Sequence, residues 1–292
     1  MDDSACTAAP ATPVSASVLE QLRNVRAYLF DMDGTLVLGD KHNGGMNPLP
    51  GAREMIAFLR ERQVPFVVFT NGTARPPAHY AKQLRSAGFD IADHEFMTPA
   101  SSAVELFVAK GYRRVMVLGG EGVSRPLEEA GIDVVAPRGK QEVDAVLTGW
   151  YREFTMECLE AAYHAVSRGA PYYSCSQAAF FATAGGRALG TSRVISAMVK
   201  DVTGCKINVV GKPSLDALRS AARRLGVKPA QMAVVGDDPV LEVPMARRGG
   251  AFAVAVNSGL GSPDAYVQLA ENRRPHLLLD GVDQLLNLCQ RV

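Results

Sequence analysis

The chain has 292 residues and a formal net charge of +1, with acidic and basic residues interspersed and no basic block or aromatic-basic interleaving of the kind that tracks a phosphate backbone. Nucleic acid is thereby excluded as a scaffold partner, and the length suits two ordinary domains better than one. The five cysteines, Cys6, Cys158, Cys175, Cys205 and Cys289, form no CxxC pair, which fits free thiols in a reducing cytosol and excludes a disulfide framework or zinc site. Residues 1–17, MDDSACTAAPATPVSAS, begin acidic and build no apolar core of signal-peptide length, and no apolar run approaches the ~18 residues of a membrane span. The expectation is a cytoplasmic protein that engages no membrane, with residues 1–18 as a flexible tail.

In chain order, short β-rich runs alternate with helical patterns, the signature of βα units and a parallel sheet. The spacing predicts strands at Val25–Phe30, Pro65–Phe69, Arg114–Leu118, Ala145–Leu147, Ile207–Val210, Met232–Val235 and Phe252–Val256. Helices are predicted between them. The segment 51-GAREMIAFLRERQ places Met55, Ile56 and Leu59 on one face and Arg53, Arg60 and Arg62 away from it, and Pro77–Ala87, Ala100–Lys110, Phe154–Ser167, Arg193–Thr203 and Ser214–Leu225 read similarly. The predicted class is α/β.

In an open parallel sheet the loops at the carboxyl ends of the strands converge on one crevice, where ligands bind. The residues expected there are Asp31, Asp33 and Gly34 after the first strand, Thr70 and Asn71 after VPFVVF, Gly211 and Lys212 after INVV, and Asp237 and Asp238 after MAVV. This set supplies a hard-cation site of oxygen ligands beside cationic and hydrogen-bonding groups suited to phosphate. With no histidine or cysteine at a strand tip, the candidate nucleophile is a carboxylate. The pair Asp31 and Asp33 is unfavourable unless a positive charge lies between them or one holds a proton.

The four stations DMDGTL, FTNGT, GKP and VGDD, in that order, resemble the motifs of the haloacid dehalogenase (HAD) superfamily. LPGA before the first core helix, TN at the second station and a long insertion before Lys212 are similar to the class IIA phosphatases, the nitrophenylphosphatase-, nucleotidase- and phosphoglycolate phosphatase-like group. The resemblance implies a Rossmann-like core at residues 19–98 and 191–292 and an α/β cap at 99–190. It also implies a phosphatase with Asp31 as the nucleophile that becomes an aspartyl phosphate and Asp33 as the acid and base. Gly34, Thr70, Asn71 and Lys212 would hold the phosphate, and Mg²⁺ would be held by Asp31, the main-chain carbonyl of Asp33 and Asp237, with Asp238 and Glu242 as further candidates. The substrate would be a small phosphorylated metabolite. A homodimer is compatible with the pattern.

Several residues have a second reading. Asp238, just before Pro239, is placed to cap the following helix, and Glu242 is equally suited to the metal region or to the helix dipole as an acid in the first turn. The stretch 119-GGEGVS follows a strand and opens a helix but lacks the third glycine of a dinucleotide loop. Where the class shows G-x-D-x-x-F-[ST]-Y and TN-x-D in the cap, this chain has 149-GWYREFTM and 174-SCSQ, so Trp150, Tyr151 and Ser176 are the candidates for reading the substrate. The rival functions are a catalytically silent binding module on the same fold, or a phosphomutase or other phosphotransferase. Intact Asp31, Asp33, Lys212 and Asp237 weigh against the first. The short Leu38–Pro50 connection, with no room for a helical cap, weighs against the second.

Overall fold

A computed structural model describes residues 14–39, 46–183, 186–259 and 263–292. Its fifteen strands among these residues are β1 (Ala27–Phe30), β2 (Val37–Gly39), β3 (Met46–Pro48), β4 (Phe66–Phe69), β5 (Phe96–Met97), β6 (Arg114–Leu118), β7 (Asp133–Val135), β8 (Ala145–Thr148), β9 (Tyr172–Ser174), β10 (Phe180–Thr183), β11 (Gly186–Leu189), β12 (Ile207–Val209), β13 (Met232–Gly236), β14 (Phe252–Val256) and β15 (Leu277–Leu279). They form two parallel sheets, ordered β15-β14-β13-β1-β4-β5 and β12-β9-β8-β6-β7, and two small hairpins, β2-β3 and β10-β11.

The first sheet is covered on both sides, which is why β1 reads as an unbroken apolar run and not as an alternation. Successive side chains still point to opposite faces. Tyr28 and Phe30 pack with Met55, Ile56 and Leu59 of the helix Ala52–Glu61, while Ala27 and Leu29 pack with Ala217, Leu218 and Ala221 of the helix Leu215–Arg224. In the second sheet Val115 and Val117 face Phe107, Val123 and Leu127, and Met116 and Leu118 face Cys158, Ala162, Ile195 and Val199.

Two expected boundaries move. The helix Ala16–Arg23 starts inside the tail expected over residues 1–18, because the Ser15 hydroxyl accepts the Val18 N–H at 3.3 Å and Leu22 is buried in the core; residues 1–13, Cys6 among them, lie outside the described residues. The second sheet also runs beyond residue 190. The helix Thr191–Thr203 buries Ile195 and Val199 against it, and β12 pairs with β9 in the register Ile207 to Tyr172. The chain returns to the first sheet only after Val210.

This assignment has a direct check. Ile195→Ala should cost about 2–5 kcal/mol, as for a buried isoleucine. Amide hydrogen exchange should show the loss of protection in β9 and β12 and not in β1; the reverse pattern would return the helix to the first sheet.

Candidate active site

Asp31 follows β1 directly, and its N–H bonds the Val235 carbonyl at 2.8 Å, so the first two carboxylate-bearing strand tips, those of β1 and β13, lie side by side. Gly34 turns the loop at φ +84°, and a Cβ there would stand 2.3 Å from Asp237 Oδ2. Only glycine accepts both the left-handed backbone and that approach. Ser258 Oγ donates to the Gly34 carbonyl at 2.7 Å, and Tyr266 donates to the Asp237 carbonyl at 2.7 Å, so both loops are braced from β14 and beyond.

Lys212 enters from elsewhere. Sequence reading put INVV and its lysine in one sheet with the other stations, but β12 is the edge strand of the second sheet, and the lysine reaches across to the first. Its ammonium, 1% exposed, bonds Asp31 Oδ1 and lies 2.7 Å from Glu242 Oε1. Burial opposes that charge, but Asp31 and Glu242 outweigh it and hold the lysine above its ordinary pKa. Glu242 is also shifted upward, by burial first and then by Asp31 and Asp237 against the pull of Lys212. The direction that stands for this pair is a protonated Lys212, since several carboxylates face a single ammonium. Asp33 reaches solvent, yet the protein around its carboxyl desolvates it, and this, with the charge of Asp31, pushes it up to about 6 against Lys212.

Asn71 holds the main chain of the lysine. Its Oδ1 accepts the Lys212 N–H at 2.8 Å and its Nδ2 donates to the Lys212 carbonyl at 3.0 Å. The side chain expected on the phosphate thus serves first as a brace. The Thr70 hydroxyl is buried and accepts the Gly72 N–H at 3.1 Å, which leaves its hydrogen for another acceptor.

The acidic set fits a hard divalent cation. Asp31 and Asp237 supply carboxylates and Asp33 a main-chain carbonyl, and three buried acids against one ammonium leave an excess of negative charge that a cation would offset. Among the described residues no three His, Cys, Asp or Glu side chains close on one metal point, so such a site rests on two side chains and the carbonyl. Glu242 has both oxygens engaged within the protein, Oε1 with Lys212 at 2.7 Å and Oε2 with the Asp238 N–H at 3.2 Å. Asp238 caps a turn and not the helix: its Oδ1 accepts the Val240 N–H at 2.7 Å, and the helix Glu242–Gly249 begins later, at Glu242.

Thr73, which sequence reading passed over, pins the two sheets together. It is buried, and its hydroxyl accepts the Trp150 N–H at 2.9 Å. A Cβ on Gly122 would meet the Thr73 carbonyl at 2.3 Å, so this one glycine of 119-GGEGVS seats the head of the helix Glu121–Glu129 on the Thr70–Arg75 loop. Arg75 and Glu121 pair at 2.6 Å beside them. Of the three residues expected to read substrate, Trp150 sits at this seat. Tyr151 turns inward: it packs against the second sheet's own apolar cluster, its hydroxyl toward Cys158 Sγ at 4.0 Å. Ser176 is half-buried and accepts the Ala178 N–H at 3.2 Å within its own turn.

Comparison with known proteins gives the chain a family. A family model for haloacid dehalogenase-like hydrolases matches residues 28–133, and a second HAD-like hydrolase model matches residues 209–285. The chain belongs to the HAD-like hydrolases, in the class IIA group. An acid sugar phosphatase of Staphylococcus aureus is 27% identical over 217 residues, 74% of this chain and 80% of that one. Among solved structures, a 4-nitrophenylphosphatase from Thermotoga maritima superposes with a TM-score of 0.81 at 25% identity, covering 92% of this chain and 98% of that one. A glycerol phosphate phosphatase from Mycobacterium tuberculosis, in complex with calcium, gives 0.79 at 25% identity over 91% and 76%.

Thr73→Ser should keep the melting temperature near wild type. Thr73→Val, equal in shape, leaves the Trp150 N–H without its acceptor and should cost about 1–3 kcal/mol. Equal melting temperatures for the two variants would remove the pin.

Proposed function

We propose that this phosphoric monoester hydrolase acts on a small phosphorylated metabolite through an aspartyl phosphate on Asp31. The observation that carries the reading is the buried pairing of Asp31 with Lys212 beside an Asp33 whose carboxyl titrates at about 6. A carboxylate held against an ammonium is oriented for attack. The same ammonium is placed to stabilise the non-bridging phosphate oxygens as charge spreads over them.

In the first half-reaction an Asp31 oxygen attacks phosphorus, the bond from phosphorus to the ester oxygen breaks, and Asp33 gives its proton to the departing oxygen. In the second, Asp33 takes a proton from water, the water oxygen bonds to phosphorus, and the bond to Asp31 breaks. A group that must first give and then take a proton works best near the ambient pH, and the upward shift of Asp33 serves that need. Thr70 offers its hydroxyl hydrogen to the phosphate, and Gly34 lets the main chain approach it. A Mg²⁺ ion held by Asp31, the Asp33 carbonyl and Asp237 would make the anionic nucleophile compatible with an anionic ester.

The relatives named for acid sugar, nitrophenyl and glycerol phosphates support a small, compact leaving group. The second sheet, with the hairpin β10-β11, forms the cap that encloses this group. A cytoplasmic setting is supported by the free state of Cys158, Cys175, Cys205 and Cys289.

Asp31→Asn should reduce hydrolysis of any phosphate ester to background with folding intact, and turnover near wild type would sink the covalent route. Asp33→Asn should let label from a nitrophenyl substrate collect on Asp31, because loss of the base slows the second half-reaction. Activity should vanish on chelation and return with Mg²⁺. Tyr151→Ala should lower the melting temperature and reduce hydrolysis of small and large substrates together, as its place in the cap's own cluster demands; a loss confined to the larger substrate would restore it as a reader of the leaving group.

A further inference from the structure

At the opposite ends of the first sheet's strands, away from Asp31, a recess of about 200 Å³ opens between Gln21, Asn24, Arg247, Phe252 and His276. No carboxylate lines it. The two helix ends that border it are closed by their own chain, since the Asn24 N–H bonds the carbonyls of Gln21 and Leu22 and the Gly250 N–H those of Ala246 and Arg247.

His276 sits there between two donors. Its Nδ1 accepts the Ala253 N–H at 2.8 Å, and its Nε2 faces Nη1 of Arg247. The ring stacks on Phe252 at a centroid separation of 5.1 Å, and Arg247 is fixed by its Nε bond to the Asn272 carbonyl at 3.2 Å. A neutral imidazole carries one hydrogen and one in-plane lone pair, so it can accept from only one of its two neighbours. With Nδ1 committed to Ala253, the ring hydrogen stands on Nε2 and points at the guanidinium. Two donors therefore oppose each other at the wall of a recess that holds no acidic side chain. An added proton gives no relief, because burial and Arg247 already make the charged ring unfavourable.

We infer that this recess is a binding site for a small oxyanion, a carboxylate or phosphate whose oxygens enter between the two donors and accept from Arg247 Nη1 and His276 Nε2 in place of their direct contact. The guanidinium suits such a group in geometry as well as charge. Arg247 lies on the helix Glu242–Gly249, whose first residue holds Lys212, so the site stands at the far end of an element that supports the active site.

The test is a titration of the full chain with inorganic phosphate and, separately, with malonate, each against chloride at matched ionic strength. The readouts are the melting temperature and the side-chain NMR signal of His276 Nε2–H. A saturable shift of that signal is expected with at least one anion. Malonate alone would assign a carboxylate source and phosphate alone a phosphoryl source. The affinity read at His276 should weaken about tenfold or more in Arg247→Gln, the equivalent of ~1.4 kcal/mol. Should that variant fail to fold, His276→Asn replaces it, read by the melting-temperature response. Phosphate binding at the crevice would persist in both variants and leave His276 unmoved, which separates the two sites. No saturable response to either anion would mean that water fills the recess and would overturn the proposal, as would an unchanged response in the variants.

Discussion

The structure depends on a buried cation that belongs to one sheet and is held by the other. Lys212 leaves the second sheet at the end of β12 and places its ammonium between Asp31, at the tip of β1, and Glu242, at the head of a helix packed on the first sheet. Taking three such groups out of water costs several kcal/mol per ion unless each finds partners. The partners come from loops that share no single element: Asn71 holds the lysine's main chain, and the Asp238 N–H holds the second oxygen of Glu242. The cluster is therefore complete only when both sheets are in place.

That arrangement explains why the acids are tolerated and why they are useful. Lys212 offsets one carboxylate directly and leaves a net negative pocket bounded by Asp31, Asp33 and Asp237. Such a pocket would suit a hard cation, and under the proposed function that cation would admit an anionic ester. The proton of Asp33 is raised by the same crowding, from burial and from the charge of Asp31. Under the proposed function one electrostatic excess would supply both the metal preference and the acid.

Much of this was legible in the sequence, because strand tips in parallel sheets carry their polar residues at fixed places. DMDGTL, FTNGT and VGDD could be read as convergent from the strands that precede them. What could not be read was which sheet a strand joins. INVV ends in the same Val-Val as MAVV, yet it pairs with β9, since pairing is decided by the tertiary partner and not by local pattern. For a related reason Glu242 and Asn71 changed roles: a side chain's partner across the fold leaves no local trace. Thr73 was hidden as an ordinary residue after a turn dipeptide, and its only signal was the pair of glycine-rich tips that close on it. Tyr151 shows the converse, in which a departure from the family pattern suggests a reader while the half-buried ring packs against the second sheet's own cluster.

The origin of Lys212 in the second sheet bears on how the cap can move. If the lysine were tied only to β12, any tilt of that sheet would draw the ammonium from Asp31. Asn71 prevents this, because its two hydrogen bonds fix the Lys212 peptide groups to the loop after β4, on the first sheet. Any tilt of the second sheet against the first must then be absorbed between Val210, whose N–H bonds the Ser174 carbonyl, and Lys212, and it must also break or carry the Thr73 bond to Trp150 on the same loop. The segment Thr70–Thr73 consequently bears both constraints: one end fixes the main chain of the buried lysine and the other fixes the second sheet. A cap seated on that loop can vary in what it reads while the loop keeps the charges of the core in register, which accounts for a chain whose catalytic stations follow the family pattern and whose cap motifs do not.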